Sequence, residues 1–385
     1  MYLAHQYRNV LFTGLIFITH LVLTGCASNA TPSAQPKAPQ KTDVRDFSAV
    51  DKLAEAAHKA SPTVGGLSIA IYDRNNQKVF EKNYGDFAAE RRVPVASASK
   101  LVAGLVILRL VDAGKLNLDT STTGALIGWT GEAANITLRQ LLAQVGGIAS
   151  SNPCLGNASI TLAACVETIG KAANPLKHTS GNHFDYGGTQ HQVAARMAEV
   201  ATGKTWHQLF SELIAKPLSL NPSVNFYTSP WAENFSTGIT NPRVAGGFYA
   251  SMNDYAPLLA LAFHRGQYGE QRFIRADLVD EMGRAPNPSA SVGTSPMARF
   301  ATPPFRYGLA AWLECATPTA FASGCNSQSS PGAFGFTPWF DRDAGYYAMI
   351  GMYQLGRATD TRVFEFSATL AQQLKPAIRE AMAAR

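Results

Sequence analysis

The segment Leu101–Val111 is apolar at nearly every position, bounded by Pro94 upstream and Gly114 downstream, and leaves no face suited to water. It is too long for an ordinary buried strand of ~4–8 residues, so the pattern predicts a helix buried on all sides. Such a helix needs a large core around it. The 385 residues, 46% apolar and 10% aromatic, are sufficient to build one. By length alone the chain has room for about two domains of ~100–200 residues. Only 16% of residues are charged, and 20 Phe and 13 Tyr accompany them, which excludes a disordered chain. The 32 Gly and 21 Pro lie near average usage and exclude collagen-like or low-complexity sequence.

Around this helix the remaining pattern is mixed. A helix is expected from Asp46 to about Ala60, ending at Ser61-Pro62. Gly66–Tyr72 and Lys78–Tyr84 then read as a hairpin turning at Asp73-Arg74-Asn75-Asn76. The middle, about 115–235, is mostly helix and loop, with Thr137–Ala143 and Gln190–Ala201 the clearest helical pieces. Ala333–Phe340 and Tyr346–Tyr353 read as a second strand pair about Asp341–Gly345. A final helix places Phe366, Leu370, Leu374 and Ile378 every four residues, with Pro376 expected to bend it. Strands at both ends and helices between predict an α+β fold. One antiparallel sheet is drawn from about 46–114 and 240–385 and flanked by helices, with a mainly helical region, about 115–239, inserted.

The N-terminus sets an expected compartment. Residues 1–25 carry one charge, Arg8, and a 14-residue apolar run from Val10 to Leu23. A spanning helix needs ~20 apolar residues, so the run reads as a signal-peptide core. Leu23-Thr24-Gly25-Cys26-Ala27 resembles a bacterial lipoprotein signal, which implies cleavage before Cys26 and lipidation of its thiol; an ordinary secretory signal is the alternative. Residues 26–45 are rich in Pro, Ala and Ser and read as a flexible tether. Ala27 is not the aspartate associated with inner-membrane retention, which favours the outer membrane. Beyond Cys26, four cysteines remain in an oxidising compartment. Three pairings are possible, and the short loops favour Cys154–Cys165 and Cys315–Cys325. A zinc site is the competing reading, but no CxxC or paired-histidine spacing accompanies them.

The formal charge of +6 is mild, and its lysines and arginines are scattered. No basic helix face or aromatic-interleaved patch is present, which argues against nucleic acid as a partner.

The strongest chemical signal is Ser97-Ala98-Ser99-Lys100, at the start of the apolar helix. Residues i and i+3 share a face in a helical turn, so the Lys100 amine comes beside the Ser97 hydroxyl. Apolar surroundings disfavour the ammonium form, and a neutral amine can take the serine proton. The helix N-terminus offers backbone N–H groups to a developing oxyanion.

Taken together, Val95-Ala96-Ser97-Ala98-Ser99-Lys100-Leu101-Val102, the Leu-Val-Asp-Ala-Gly-Lys-Leu-Asn-Leu-Asp-Thr run at 110–120 and Ile-Thr-Leu-Arg-Gln-Leu-Leu-Ala at 136–143 resemble the penicillin-recognising serine hydrolases. That group includes class C β-lactamases, D,D-peptidases and related esterases and amidases. Phe184-Asp185-Tyr186-Gly187-Gly188, Val200-Ala201-Thr202-Gly203, Pro242–Gly247, Gly332–Gly335 and Trp339-Phe340-Asp341 extend the resemblance over about residues 60–370 in the family's order. The resemblance implies acylation of Ser97, with Tyr186 joining Lys100 in proton transfer. It also implies an oxyanion hole from the backbone N–H groups of Ser97 and Ala333.

Two positions depart from the family pattern. Gly188 stands where β-lactamases and D,D-peptidases usually carry Asn. The third motif maps onto Ser330-Pro331-Gly332, which keeps the glycine that admits substrate but lacks the usual Lys or His. Gly188, Ser330 and Gly332 are therefore the expected substrate-binding positions, and a neighbouring arginine such as Arg342 is a candidate substitute for the lost cation. Ser68, in Gly66-Leu67-Ser68-Ile69-Ala70, approximates a nucleophile elbow but lies in a strand with no helix after it. Lys204-Thr205-Trp206 is neither the third motif nor a phosphate loop. His178, His183 and His191 cluster in sequence without metal-binding spacing, and no metal is expected, although His183 is close enough to Tyr186 to line a site.

The expected function is a lipid-anchored, periplasm-facing serine hydrolase acting on small ester or amide substrates through an acyl-enzyme on Ser97. A β-lactamase or D,D-carboxypeptidase acting on β-lactams or peptidoglycan stem peptides is the alternative, followed by a non-catalytic scaffold that binds cell wall. No cofactor is implied, and the sequence is silent on oligomeric state.

Overall fold

The computed structural model describes residues 45–61, 64–122, 126–228, 239–300, 305–354 and 362–384. The expected signal peptide, Cys26 and all of the tether but Arg45 lie outside these residues. Among the described residues no helix is long and apolar enough to cross a membrane.

The framework is a seven-stranded antiparallel sheet drawn from both ends of the chain. Its strands are β1 (Gly66–Asp73), β2 (Lys78–Gly85), β3 (Arg306–Tyr307), β4 (Trp312–Leu313), β5 (Ser327–Ser329), β6 (Thr337–Asp341) and β7 (Tyr346–Gly351), in the order β3-β4-β5-β6-β7-β1-β2. The fold is α+β, as the strand-rich ends and helical middle predict, and it is of the β-lactamase/transpeptidase type that the family resemblance implies. Residues from the two ends meet where β1 joins β7, with Ser68 opposite Gly351 and Asp73 opposite Tyr346.

Period-two patterning gives this sheet two covered faces. Leu67, Ile69 and Ile71 of β1, with Tyr346, Ala348 and Ile350 of β7, pack against Val50, Ala54, Leu370, Leu374 and Ile378. Those last residues belong to the terminal helices α1 (Ser48–Ala60) and α7 (Arg362–Ala383), which also touch each other. The alternate residues Ala70, Tyr72, Tyr347 and Met349 face the larger core on the other side.

That larger core surrounds α2 (Ser99–Asp112), the segment singled out by its apolarity. Every residue from Ser99 to Leu108 is buried, as is Leu110, while Arg109, Val111 and Asp112 are partly exposed. Helices from the middle of the chain complete its shell: α3 (Leu138–Leu142), α4 (Leu162–Ala172) and α5 (Thr189–Thr202), with α6 (Met252–Phe263) bridging to the sheet. Thr137 and Gln140 close a capping box on α3, so that the expected helix at 137–143 is one turn with its cap.

One element differs from expectation. The strand predicted from Ala333 starts only at Thr337. Ala333 and Phe334 form a tight turn instead: the Gly332 N–H donates to Phe336 O and the Gly335 N–H donates to Gly332 O. Gly335 adopts φ +97°, a conformation that breaks an extended run.

Candidate functional site

The turn that presents Ser97 is built by its neighbours. Val93–Pro94 pairs with Phe248–Ala250, and the Val95 N–H donates to Phe248 O, fixing the chain just before the turn. Ala96 then adopts φ +49°, in the left-handed region that costs a non-glycine residue about 1–3 kcal/mol. Ser99 holds it there: its hydroxyl donates to Ala96 O (2.5 Å) and accepts from the Phe248 N–H (2.9 Å). The Tyr255 hydroxyl donates to Ala98 O at 2.8 Å. Ser97 is left partly exposed at the head of α2, while Ser99 and Lys100 are buried.

Lys100 Nζ lies 3.1 Å from Ser97 Oγ and 3.0 Å from Ala245 O. It also sits 4.4 Å from the centre of the Tyr186 ring. With no carboxylate partner among the described residues, burial, reinforced by the positive charge of Arg243, lowers its pKa to about 7. A large share of Lys100 is therefore a neutral amine at pH 7, able to accept a proton.

Tyr186 is anchored through the backbone on either side. The Asp185 N–H donates to Gln144 O (3.1 Å), and the Gly187 N–H donates to Gln144 Oε1 (3.0 Å). The Tyr186 N–H itself donates to Thr294 O. Gln144, fully buried, also contacts His191 Nδ1 at 2.7 Å. The Tyr186 ring packs on Trp312 (5.0 Å between centroids) and edge-on to Tyr307 (5.6 Å). Burial pushes the phenol pKa up to about 12, against the opposing effect of Ser97 and Trp312 within its reach. Tyr186 thus holds its proton at neutral pH and is a donor.

The third motif adjoins the turn that carries Ser97. The buried Ser330 hydroxyl donates to Ser97 O at 3.4 Å. Gly332 presses on Val95, where a Cβ would collide with the carbonyl oxygen, and Ala333 follows it, exposed, in the turn. Gly188 caps α5, and a Cβ there would meet Leu155 at 2.9 Å. Arg342 does not substitute for the missing cation. It lies beyond the opposite end of β6, donating to Phe263 O (3.0 Å) and Ala262 O (2.8 Å) at the C-terminus of α6. The cation beside Lys100 is Arg243, whose sequence position gave no signal beyond its place before Val244-Ala245.

Cys154 and Cys165 are adjacent, with Cα atoms 5.2 Å apart, as are Cys315 and Cys325 at 5.1 Å, both within the span a disulfide bridges. Ser68 lies buried within β1, and Thr205 caps the helix Trp206–Phe210. The three histidines separate. His191 is buried next to Gln144, while His178 and His183 stack at 3.6 Å beside Asp185.

A serine hydroxyl beside a desolvated amine and a protonated phenol is the working arrangement of a serine hydrolase that has no histidine base. The chain belongs to the Beta-lactamase family, whose model matches residues 50–363. Members of this family are serine hydrolases acting on esters and amides. A beta-lactamase candidate from Bacteroides dorei DSM 17855 superimposes with a TM-score of 0.74 at 29% identity, covering 87% of this chain and 99% of that one. EstCE1, a hydrolase with promiscuous acyltransferase activity, gives 0.64 at 18% identity, covering 87% and 98%. Protein flp of Staphylococcus aureus (strain MW2) is 28% identical over 173 residues, 41% of this chain and 34% of that protein. The chain thus matches about a third of the length of such curated relatives.

Proposed function

We propose that the protein hydrolyses small esters or amides through an acyl-enzyme on Ser97. The observation that carries this reading is the Lys100 amine, 3.1 Å from the Ser97 hydroxyl and brought to a pKa of about 7. Neutral Lys100 accepts the Ser97 proton as Ser97 Oγ attacks the substrate carbonyl. Tyr186, protonated, donates to the departing alkoxide or amine and is reprotonated from Lys100. The C–O or C–N bond breaks and the acyl group stays on Ser97. Water then attacks the ester, losing its proton along the same path, and Ser97 regains its own. The Ser97 and Ala333 backbone N–H groups are assigned to the oxyanion.

Ser330 and Gly188 favour esters and small amides over β-lactams, because neither supplies the cation or the amide side chain that holds a drug's carboxylate and acylamide. We further propose that Cys26 is lipidated, holding the enzyme at the periplasmic face of a bacterial membrane, the outer one being favoured, and that the two cysteine pairs are disulfides. Incorporation of labelled palmitate into the wild-type chain and not into Cys26→Ala tests the anchor.

The activity is tested by hydrolysis of a short-chain nitrophenyl ester, with Ser97→Ala and a chromogenic cephalosporin alongside. Ester turnover lost in the variant, with little cephalosporin turnover, is expected. Cephalosporin turnover of equal efficiency would instead make the protein a β-lactamase. No turnover of either, with no labelling of Ser97 by a phosphonate probe, would leave a non-catalytic cell-wall-binding protein.

A further inference from the structure

We propose that His178, His183 and Asp185 form a binding site for a divalent transition-metal ion of the zinc type, on the turn that leads into Tyr186. One ligand atom from each residue lies within 4.8 Å of the others. His178 Nε2 stands 3.8 Å from Asp185 Oδ2, and His183 Nε2 stands 3.8 Å from Asp185 Oδ1. Both separations are too long for a hydrogen bond and short enough to close on a shared ion with bonds of ~2.0–2.2 Å.

The hydrogen bonding around His183 selects the ligating tautomer. The Ser291 hydroxyl donates its proton to Asn182 O at 3.1 Å. With the Ser291 hydroxyl spent on Asn182 O, the 2.8 Å contact between Ser291 Oγ and His183 Nδ1 is a donation from the ring, and the proposal takes this tautomer. In neutral His183 the proton is on Nδ1, and Nε2 turns a bare lone pair toward a carboxylate whose side chain is only 4% exposed. Asp185 Oδ1 accepts the Thr294 N–H at 2.8 Å, which holds the carboxylate in place and leaves a second lone pair of that oxygen for an ion shared with His183 Nε2. An outer-shell partner that fixes the ring in this way is characteristic of metal-bound histidine.

Gly293 supplies an independent observation. A Cβ at this position would collide with both His183 Nε2 and Asp185 Oδ1, so glycine keeps the space between those two atoms open. His178 and His183 are 34% and 18% exposed, which leaves an approach for water to complete a tetrahedral shell. Two imidazoles and one carboxylate suit zinc, nickel or copper better than calcium or magnesium. Lys177, half exposed, now pairs with Asp185 Oδ2 at 2.7 Å and would be displaced.

The test is a calorimetric Zn²⁺ titration of the full chain in detergent, made without a histidine tag. Wild type is expected to bind one ion that the His178→Ala/His183→Ala variant does not, with the circular dichroism of the two unchanged. Ser291→Ala should weaken that site about 10- to 100-fold, the usual effect of removing an outer-shell partner. Lys177→Met should tighten it. The ligand-field absorption of bound Co²⁺ should disappear in the double variant. Identical isotherms for wild type and the double variant would overturn the proposal, as would weaker binding by Lys177→Met, which would make the ammonium the native counter-charge.

Discussion

Lys100 Nζ stands between Ser97 Oγ at 3.1 Å and Ala245 O at 3.0 Å, with the face of Tyr186 as its third neighbour. A neutral amine has two N–H bonds and one lone pair. Ala245 O and the electron-rich ring take the hydrogens, which turns the lone pair toward the serine hydroxyl. In the proposed mechanism the neutral form of Lys100 is the active one. Its lowered pKa of about 7 therefore predicts that kcat/KM rises as pH increases through about 7 and is lost below it. Arg243→Gln removes the charge that assists this lowering, so its acid limb should move to higher pH. An acid limb unmoved by this substitution, or centred near the carboxylate range, would remove Lys100 from the role of base.

Because Tyr186 keeps its proton, Tyr186→Phe removes a donor rather than a base. The loss should be about 10²–10⁴-fold in kcat, as for other positioned proton donors. It should be smallest for esters with good leaving groups, which need no proton to depart. Residues that act as a unit lose activity non-additively, so Ser97→Ala combined with Tyr186→Phe should be no worse than Ser97→Ala alone. Nitrophenyl and alkyl esters of one acid, compared in Tyr186→Phe, provide the measurement, and an equal loss on both would argue against the donor role.

Gln144 touches none of the reacting atoms but holds the backbone on both sides of Tyr186. Gln144→Leu roughly keeps the volume, deletes the side-chain bonds to the Gly187 N–H and His191 Nδ1, and leaves the main-chain bond from the Asp185 N–H in place. The phenol should lose its fixed position, lowering kcat by up to about 10²-fold while KM changes little. Near-wild-type kcat in a folded Gln144→Leu protein would show that the ring's packing on Trp312 and Tyr307 is sufficient.

The buried helix, the hairpin and the terminal helices were legible because each follows from a local rule: uniform apolarity, period-two alternation, or apolar positions every four residues. Ser97 and Lys100 are three residues apart, so their proximity was legible as well. Tyr186 was reachable only through resemblance to a family, since nothing in its own neighbourhood separates it from a core tyrosine. Gln144 gave no signal, and Ser99 and Arg243 lay in motif segments that did not show their roles, because those roles depend on long-range contacts: the Ser99 hydroxyl meets the Phe248 N–H, 149 positions away. The turn at Ala333 was misread as strand because Phe334 and Phe336 favour extended structure, and the glycines that bend the chain outweigh them. His178 and His183 have no metal-binding spacing in the sequence, and their proximity depends on the turn leading to Phe184.

The terminal helix is tied to the sheet by an ion pair that a sequence pattern cannot reveal. Lys375 of α7 pairs with Glu314, just beyond β4, and their side chains are only 5% and 3% exposed. Burial lowers the Lys375 pKa despite its partner, and Glu314 Oε1 has no hydrogen-bond partner among the described residues. The pair therefore carries a desolvation cost that its attraction must offset. Glu314→Ala leaves an ammonium buried alone and should cost about 3–5 kcal/mol of stability. The double variant Glu314→Leu/Lys375→Met removes both charges while roughly keeping volume. It should lose much less, or gain stability, because the desolvation cost disappears with the attraction. Urea denaturation midpoints of the three proteins decide the matter. If the single variant proves as stable as the double, Lys375 is not left as a buried ammonium, being hydrated or deprotonated, and the ion pair is not what ties α7 to the sheet.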